Sequence, residues 1–154
     1  RGNPRFRNDH IRSMTAALMA PLTRVSGCFF VGLQVDGTEE ERVLLSGNGK
    51  FMDLGKNLGD FADTAAVVAS LDLVVAVDTA VLHLAGTLGR PAWGLLPFVP
   101  DWRWLLARSD SPWYPTVRLF RQEQPGSWPS VMEAVGNRLE QVVAGTSLPV
   151  WPCE

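Results

Sequence analysis

The chain has 154 residues, 46% of them hydrophobic, and a formal net charge of −2. That is the size of one ordinary domain with a substantial core, and the apolar content excludes disorder. No run approaches the roughly 20 apolar residues a membrane span needs, and the mild negative charge gives no general attraction to nucleic acid or anionic lipid.

Cys28 and Cys153 offer no CxxC pair, zinc spacing or disulfide framework, a usage that fits a reducing cytoplasm. The opening RGNP reads as the end of a strand and its loop, so the sequence is expected to continue upstream.

In chain order, Arg1 to Arg12 reads as a basic loop, and Ser13 to Val25 places Met14, Ala17, Leu18, Pro21 and Leu22 at helical spacing, a short helix disturbed by Pro21. Gly27 ends it. Cys28 to Val35 is an apolar run suited to a buried strand, with a polar exit at Gln34 and Asp36. Glu39 to Leu45 reads as a helical turn, Lys50 to Leu54 as a short strand, and Asp60 to Ser70 as a helix with Asp63 in its first turn.

The stretch LDLVVAVDTAVLHLAGTLGRPAWGLLP, Leu71 to Pro97, carries the most information. Leu73 to Val77 predicts a strand buried on both faces, Thr79 an N-cap, Ala80 to Leu88 a helix stopped by Gly89 and Pro91, and Ala92 to Leu96 another strand. The helix therefore starts at a strand's carboxyl end, where open α/β sheets bind ligands and where free N–H groups favour an anion. His83 lies four residues after Thr79 on the same face and tilts back toward that terminus. Asp78 and His83 equally admit a plain reading, a helix cap and a core histidine.

Beyond this crossover, Pro97 to Pro115 holds Trp102, Trp104 and Trp113, and Trp102 to Arg108 predicts a short helix. Trp102 and Trp104, with Trp113 and Tyr114, would stack on a sugar or base, or else plug the core under a long loop. Asp101 and Arg103 would pair with each other or orient a ligand hydroxyl. Val117 to Phe120 predicts the last strand, and Ser130 with Glu133 a capping box opening a helix to Val143. Strands alternating with helices predict an α/β fold with a doubly wound parallel sheet.

The first twelve residues hold Arg1, Arg5, Arg7, His10 and Arg12, whereas the whole chain has only the lysines Lys50 and Lys56. Guanidinium forks match phosphate oxygens bidentately, so this loop could clamp a diphosphate resting on the helix after Asp78. A solvated surface loop and a single-strand nucleic-acid site are the alternatives, the latter disfavoured by the acidity elsewhere. There is no GxGxxG, GxxxxGK[ST], GxSxG or HExxH. No DxD pair points to a metal-bound diphosphate either, so arginines and a helix dipole would neutralise it without metal.

Together VDTAVLHLAG, GRPAWGLLP, PDWRW, SPWYP and RLFRQ resemble the C-terminal half of a heptosyltransferase-like glycosyltransferase of family 9, with similarity to bacterial forms fused behind tetratricopeptide repeats. The resemblance runs from RGNPRFRND to about Val143. It implies GT-B architecture, two Rossmann-like halves with the nucleotide-sugar donor held by the C-terminal one. It places residues 1–144 in that nucleotide-sugar-binding domain and leaves 145–154 as a tail.

Residue by residue, the resemblance implies that Asp78, Thr79, Ala80 and His83 surround the donor diphosphate and sugar, with Asn3, Arg5 and Arg7 in the loop that reaches the phosphates. Ala80 stands where heptosyltransferases usually have Gly. It implies, too, that the base activating the acceptor sits in the N-terminal half, outside these residues.

The expected protein is a metal-independent enzyme of the cytoplasm that uses a nucleotide sugar as substrate and needs no cofactor. Its partners would be a glycan, lipid-linked or protein acceptor and its own N-terminal half, with no nucleic acid and no membrane span. The alternatives are a non-catalytic nucleotide-sugar binding or scaffold module of the same fold and a GT-B epimerase or another nucleotide enzyme.

Overall fold

The computed structural model describes residues 1–3, 5–47 and 50–145. Its centre is a parallel sheet of β3 (Val74–Val77), β4 (Ala92–Leu96) and β5 (Val117–Arg121), in that spatial order. β4 is buried at all five of its positions, which is why AWGLL has no polar residue to alternate with. Its side chains divide between two layers: Trp93 and Leu95 pack with Phe120, Trp128, Val131 and Val135, while Ala92 and Leu96 pack with Val68, Leu82, Ala85 and Trp104.

The first layer is built on α6 (Trp128–Val143), and the second on α4 (Phe61–Ser70) and α5 (Ala80–Thr87). Helices thus cover both faces of this sheet. Asp60 caps α4 by accepting from the N–H groups of Ala62 and Asp63 at 2.7 and 2.9 Å. Gly89, at φ +64°, follows α5 in the left-handed conformation that ends helices.

The N-terminal part makes a second parallel sheet, β1 (Phe30–Gly32) beside β2 (Phe51–Asp53), joined through α3 (Glu39–Leu45). β1 and β3 do not pair. A cavity of about 750 Å³, lined among others by Phe30, Val31, Val75 and Val142, lies between the sheets. The single wound sheet expected from the sequence is therefore seen as two parallel sheets sharing one core layer, since Phe30 and Val75 pack against the same cluster. Apolar runs specify a buried strand but not which neighbour its edge will find.

Several local expectations shift. Only Phe30–Gly32 of the long Cys28–Val35 run forms strand. The basic loop contains the helical turn α1 (Asp9–Arg12), and the segment after it contains α2 (Ala16–Met19), which stops before Pro21. The Trp102–Arg108 helix reduces to a 3₁₀ turn over Trp102–Trp104, because Leu105 and Ala107 take φ of 52° and 55° and turn the chain away.

The capping box predicted at Ser130 and Glu133 does not form. α6 starts three residues earlier, with Ser127 at its N-cap and proline in its first turn, and the Ser130 hydroxyl donates to the Ser127 carbonyl at 2.9 Å. A capping box does occur at Thr38 and Glu41, ahead of α3. Among the described residues no helix is long and apolar enough to cross a membrane. The tail expected at 145–154, apart from Gly145, lies outside the described residues, as does Cys153.

Candidate functional site at the carboxyl end of β3

β3 ends at Val77, and Asp78 and Thr79 carry the chain directly into α5. Thr79 occupies the N-cap position with extended dihedrals, yet its hydroxyl donates back to the Val77 carbonyl at 3.2 Å and no side chain caps the helix. The first N–H groups of α5 are thus left to whatever arrives from outside. An uncapped helix start at a strand's carboxyl end is where an anion gains most from the backbone.

His83, one turn into α5, is held on three sides. Its Nδ1 lies 3.1 Å from the Tyr114 hydroxyl, its Nε2 lies 3.6 Å from Asp78 Oδ1, and its ring stacks on Trp104 with centroids 5.1 Å apart. About a third of its side chain remains open, 34% against 13% for Asp78. This is neither a core histidine nor a free surface one.

Burial pushes the Asp78 carboxyl up, but hydrogen bonding from His83 and Trp104 and the charges of His83 and Arg12 together hold it below the usual carboxylate range. The Trp104 indole N–H is buried and meets no partner at normal hydrogen-bond geometry, so the partners that geometry places on Asp78 are His83 and Arg12. Asp78 is therefore a fixed negative charge beside His83 Nε2.

The basic loop reaches this site through Arg12. Its Nη1 donates to the Asp78 carbonyl at 2.8 Å and its Nε to Asp9 Oδ1 at 3.1 Å, and its guanidinium lies 4.4 Å from the Phe6 ring centre. Ser13 donates to the other Asp9 oxygen at 2.8 Å. Gly2 donates its N–H to Ser13, and a Cβ there would meet Asp9 Oδ1 at 2.2 Å.

Anchored in this way, the loop presents Asn3, Arg5 and Arg7 to solvent. Asn3 Oδ1 accepts from the Arg5 N–H at 2.9 Å and shapes the turn. The Arg5 and Arg7 guanidiniums make no hydrogen bond or ion pair with the described residues.

Ala80 is exposed at the first position of α5, Trp102 is exposed, and Trp104 is fully buried with its ring spent on His83, so Trp104 offers no face to a ligand. Asp101 and Arg103 pair with each other at 2.7 Å. The sequence places Arg12 in the loop expected to clamp a diphosphate and Tyr114 among rings expected to stack or plug, and misses that Arg12 holds the Asp78 carbonyl and Tyr114 the His83 ring. The signal for Tyr114 is Gly86, a glycine inside a helix, which marks a close approach. Among the described residues no three His, Cys, Asp or Glu side chains gather as a metal-ligand set.

Residues 29–98 match the family model described as Glycosyltransferase family 9 (heptosyltransferase). The chain is 34% identical over 131 residues to Protein FlbA of Caulobacter vibrioides, a match covering 82% of this chain and 22% of that protein. It thus spans about a fifth of its relative's length. No solved structure matches. The matched segment, similar in sequence to glycosyltransferase family 9 (heptosyltransferase), runs from β1 through β4 and contains Asp78, the α5 terminus and His83.

Proposed function

We propose that this chain is the donor-binding half of a GT-B glycosyltransferase that moves a sugar from a nucleoside diphosphate to an acceptor without a metal ion. The observation that carries the reading is the uncapped α5 terminus flanked by Asp78 and His83 inside the family-matched segment. In a metal-free transfer the charge released on the diphosphate must be met by fixed donors, and here these are the first α5 N–H groups, His83, and Arg5 and Arg7 from the exposed loop.

The reaction is direct displacement. The bond from the acceptor oxygen to the anomeric carbon forms as the bond from that carbon to the diphosphate breaks. The acceptor proton passes to a base outside this chain, in an N-terminal Rossmann-like half that also supplies the acceptor site. In this reading the spatial order β2, β1, then β3, β4, β5 is that of one doubly wound sheet, a tetratricopeptide-repeat segment precedes both halves, and the acceptor is a glycan, a lipid-linked sugar or a protein.

Calorimetry of the purified chain with ADP, GDP and UDP, each with Mg²⁺ or with EDTA, tests the reading. Binding of one nucleotide, equal in both media, is expected. Strict dependence on Mg²⁺ would overturn the metal-free mechanism, and no binding of any nucleotide would overturn the donor site itself. Transfer to an acceptor by this chain alone, at enzyme-like rates of about 1 to 10³ per second, would contradict the division of labour between the halves.

A further inference from the structure

A second concavity opens on the far side of His83. It is a cleft of about 220 Å³ lined by His83, Trp102, Arg103, Trp113 and Tyr114. Two parts of the connection between β4 and β5 build it with His83, the 3₁₀ turn after Asp101 and the loop before β5, and they are stapled together where the Trp113 indole N–H donates to the Arg103 carbonyl at 2.8 Å.

The two tryptophan rings that line it are 67% and 55% exposed, at Trp102 and Trp113 respectively. Large aromatic faces held open to water are unusual outside interaction sites. Here their positions are already set, because the Arg103 guanidinium lies 4.8 Å from the Trp102 ring centre and is itself bonded to Asp101 Oδ1 at 2.7 Å. The turn is closed by residues with positive φ at Leu105 and Ala107, a conformation that costs free energy and persists where the surroundings impose it. Little side-chain freedom is left to lose when a ligand arrives.

We infer that this cleft is a saccharide subsite, receiving the sugar ring attached to the diphosphate that the α5 terminus holds. The inference rests on the nucleotide-sugar reading above. His83 belongs to both places, facing Asp78 with one ring nitrogen and the Tyr114 hydroxyl with the other, and it lines the cleft itself.

A pyranose has an apolar C–H face that suits an indole and an edge of hydroxyls that suits guanidinium, imidazole and phenol groups, the inventory of this cleft. A base would instead ask for in-plane partners matching its own edge. The charge of Arg103 is balanced by Asp101, which selects a neutral sugar over a uronic acid. The subsite uses Trp113 and Trp102 as stacking faces, with Trp104 serving only as the support behind His83.

The test uses the whole chain labelled with ¹⁵N, titrated with ADP, GDP and UDP and with ADP-glucose, GDP-mannose and UDP-glucose. Affinity and the indole N–H resonances of Trp102 and Trp113 are followed together. The nucleotide that binds is expected to gain about tenfold in affinity when it carries its hexose. Both indole signals should move only with the sugar present.

Trp102→Ala and Trp113→Ala should abolish that gain while leaving the affinity for the free nucleotide unchanged, and Trp102→Phe should retain most of it. Equal affinity with and without the hexose would overturn the subsite and leave the nucleotide site standing. Indole shifts with the free nucleotide would also overturn it, by putting the base in the cleft. Failure of every nucleotide to bind would bring down both readings.

Discussion

The ring of Tyr114 occupies the space that a side chain on Gly86 would need. A Cβ at Gly86 would meet two Tyr114 ring carbons at 2.5 and 2.6 Å, and this close approach is what lets the Tyr114 hydroxyl come within 3.1 Å of His83 Nδ1. One glycine in α5 thus sets the orientation of a histidine one turn earlier.

Gly86→Ala should therefore destabilise the protein by about 1–3 kcal/mol through overpacking, against a helix-propensity gain of about 1 kcal/mol. Tyr114→Phe keeps the ring and removes only the hydroxyl, so its cost should be about 1 kcal/mol. Denaturant unfolding of both variants checks this. An alanine variant more stable than the parent by the full propensity gain would mean that Tyr114 is not held against the helix.

Asp78 should make stability depend on pH in the acid range. Its folded pKa lies below the ordinary 3.8, burial being outweighed by His83, Trp104 and Arg12. A depressed carboxylate contributes stability above its unfolded value and loses it as pH falls through the folded one. Asp78→Asn should therefore be less stable than the parent from neutral pH down to about pH 5, and the gap should close below about pH 4. Melting temperatures of the two proteins across that range decide it, and a gap that persists undiminished at low pH would remove the charge from the explanation.

The arginines of the first loop should separate into two kinds. Arg12 is 18% exposed and pairs with an Asp9 side chain that is 12% exposed, so Arg12→Ala strands a buried carboxylate and should cost about 3 kcal/mol. Arg5→Ala and Arg7→Ala alter exposed side chains and should change stability by about 0.5 kcal/mol or less. Each should nevertheless weaken nucleotide binding by about 1.5 to 3 kcal/mol, as loss of a charge-assisted contact does. Melting curves and nucleotide titrations on the same three variants report both effects. Unchanged affinity in the Arg5 and Arg7 variants would return them to the solvated surface.

Amide hydrogen exchange should grade the two sheets. β4 lies between two parallel neighbours and is fully buried, so its amides should exchange slowest. β1 is three residues long and pairs on one side only, with the cavity on its other edge. Its amides should exchange well before those of β4, and equal protection of the two strands would mean that the sheets open as a unit.

What the sequence determined by itself is local: where the chain is buried on both faces, where a helix begins after a strand, and which side chains share its first turn. Val74–Val77, Ala92–Leu96 and the start of α5 were legible because burial leaves no polar alternation and because Asp78, Thr79 and Gly89 punctuate the run. Asp78 and His83 could be paired on paper for the same reason.

Tertiary structure decided the rest. Whether β1 meets β3 depends on edges that no periodicity encodes. Trp102, Trp104 and Trp113 look alike in sequence, but only packing buries Trp104 under His83 and leaves the other two rings open. Arg12 and Tyr114 act on Asp78 and His83 across separations of 66 and 31 residues, and contacts at that range arise when the chain closes on itself.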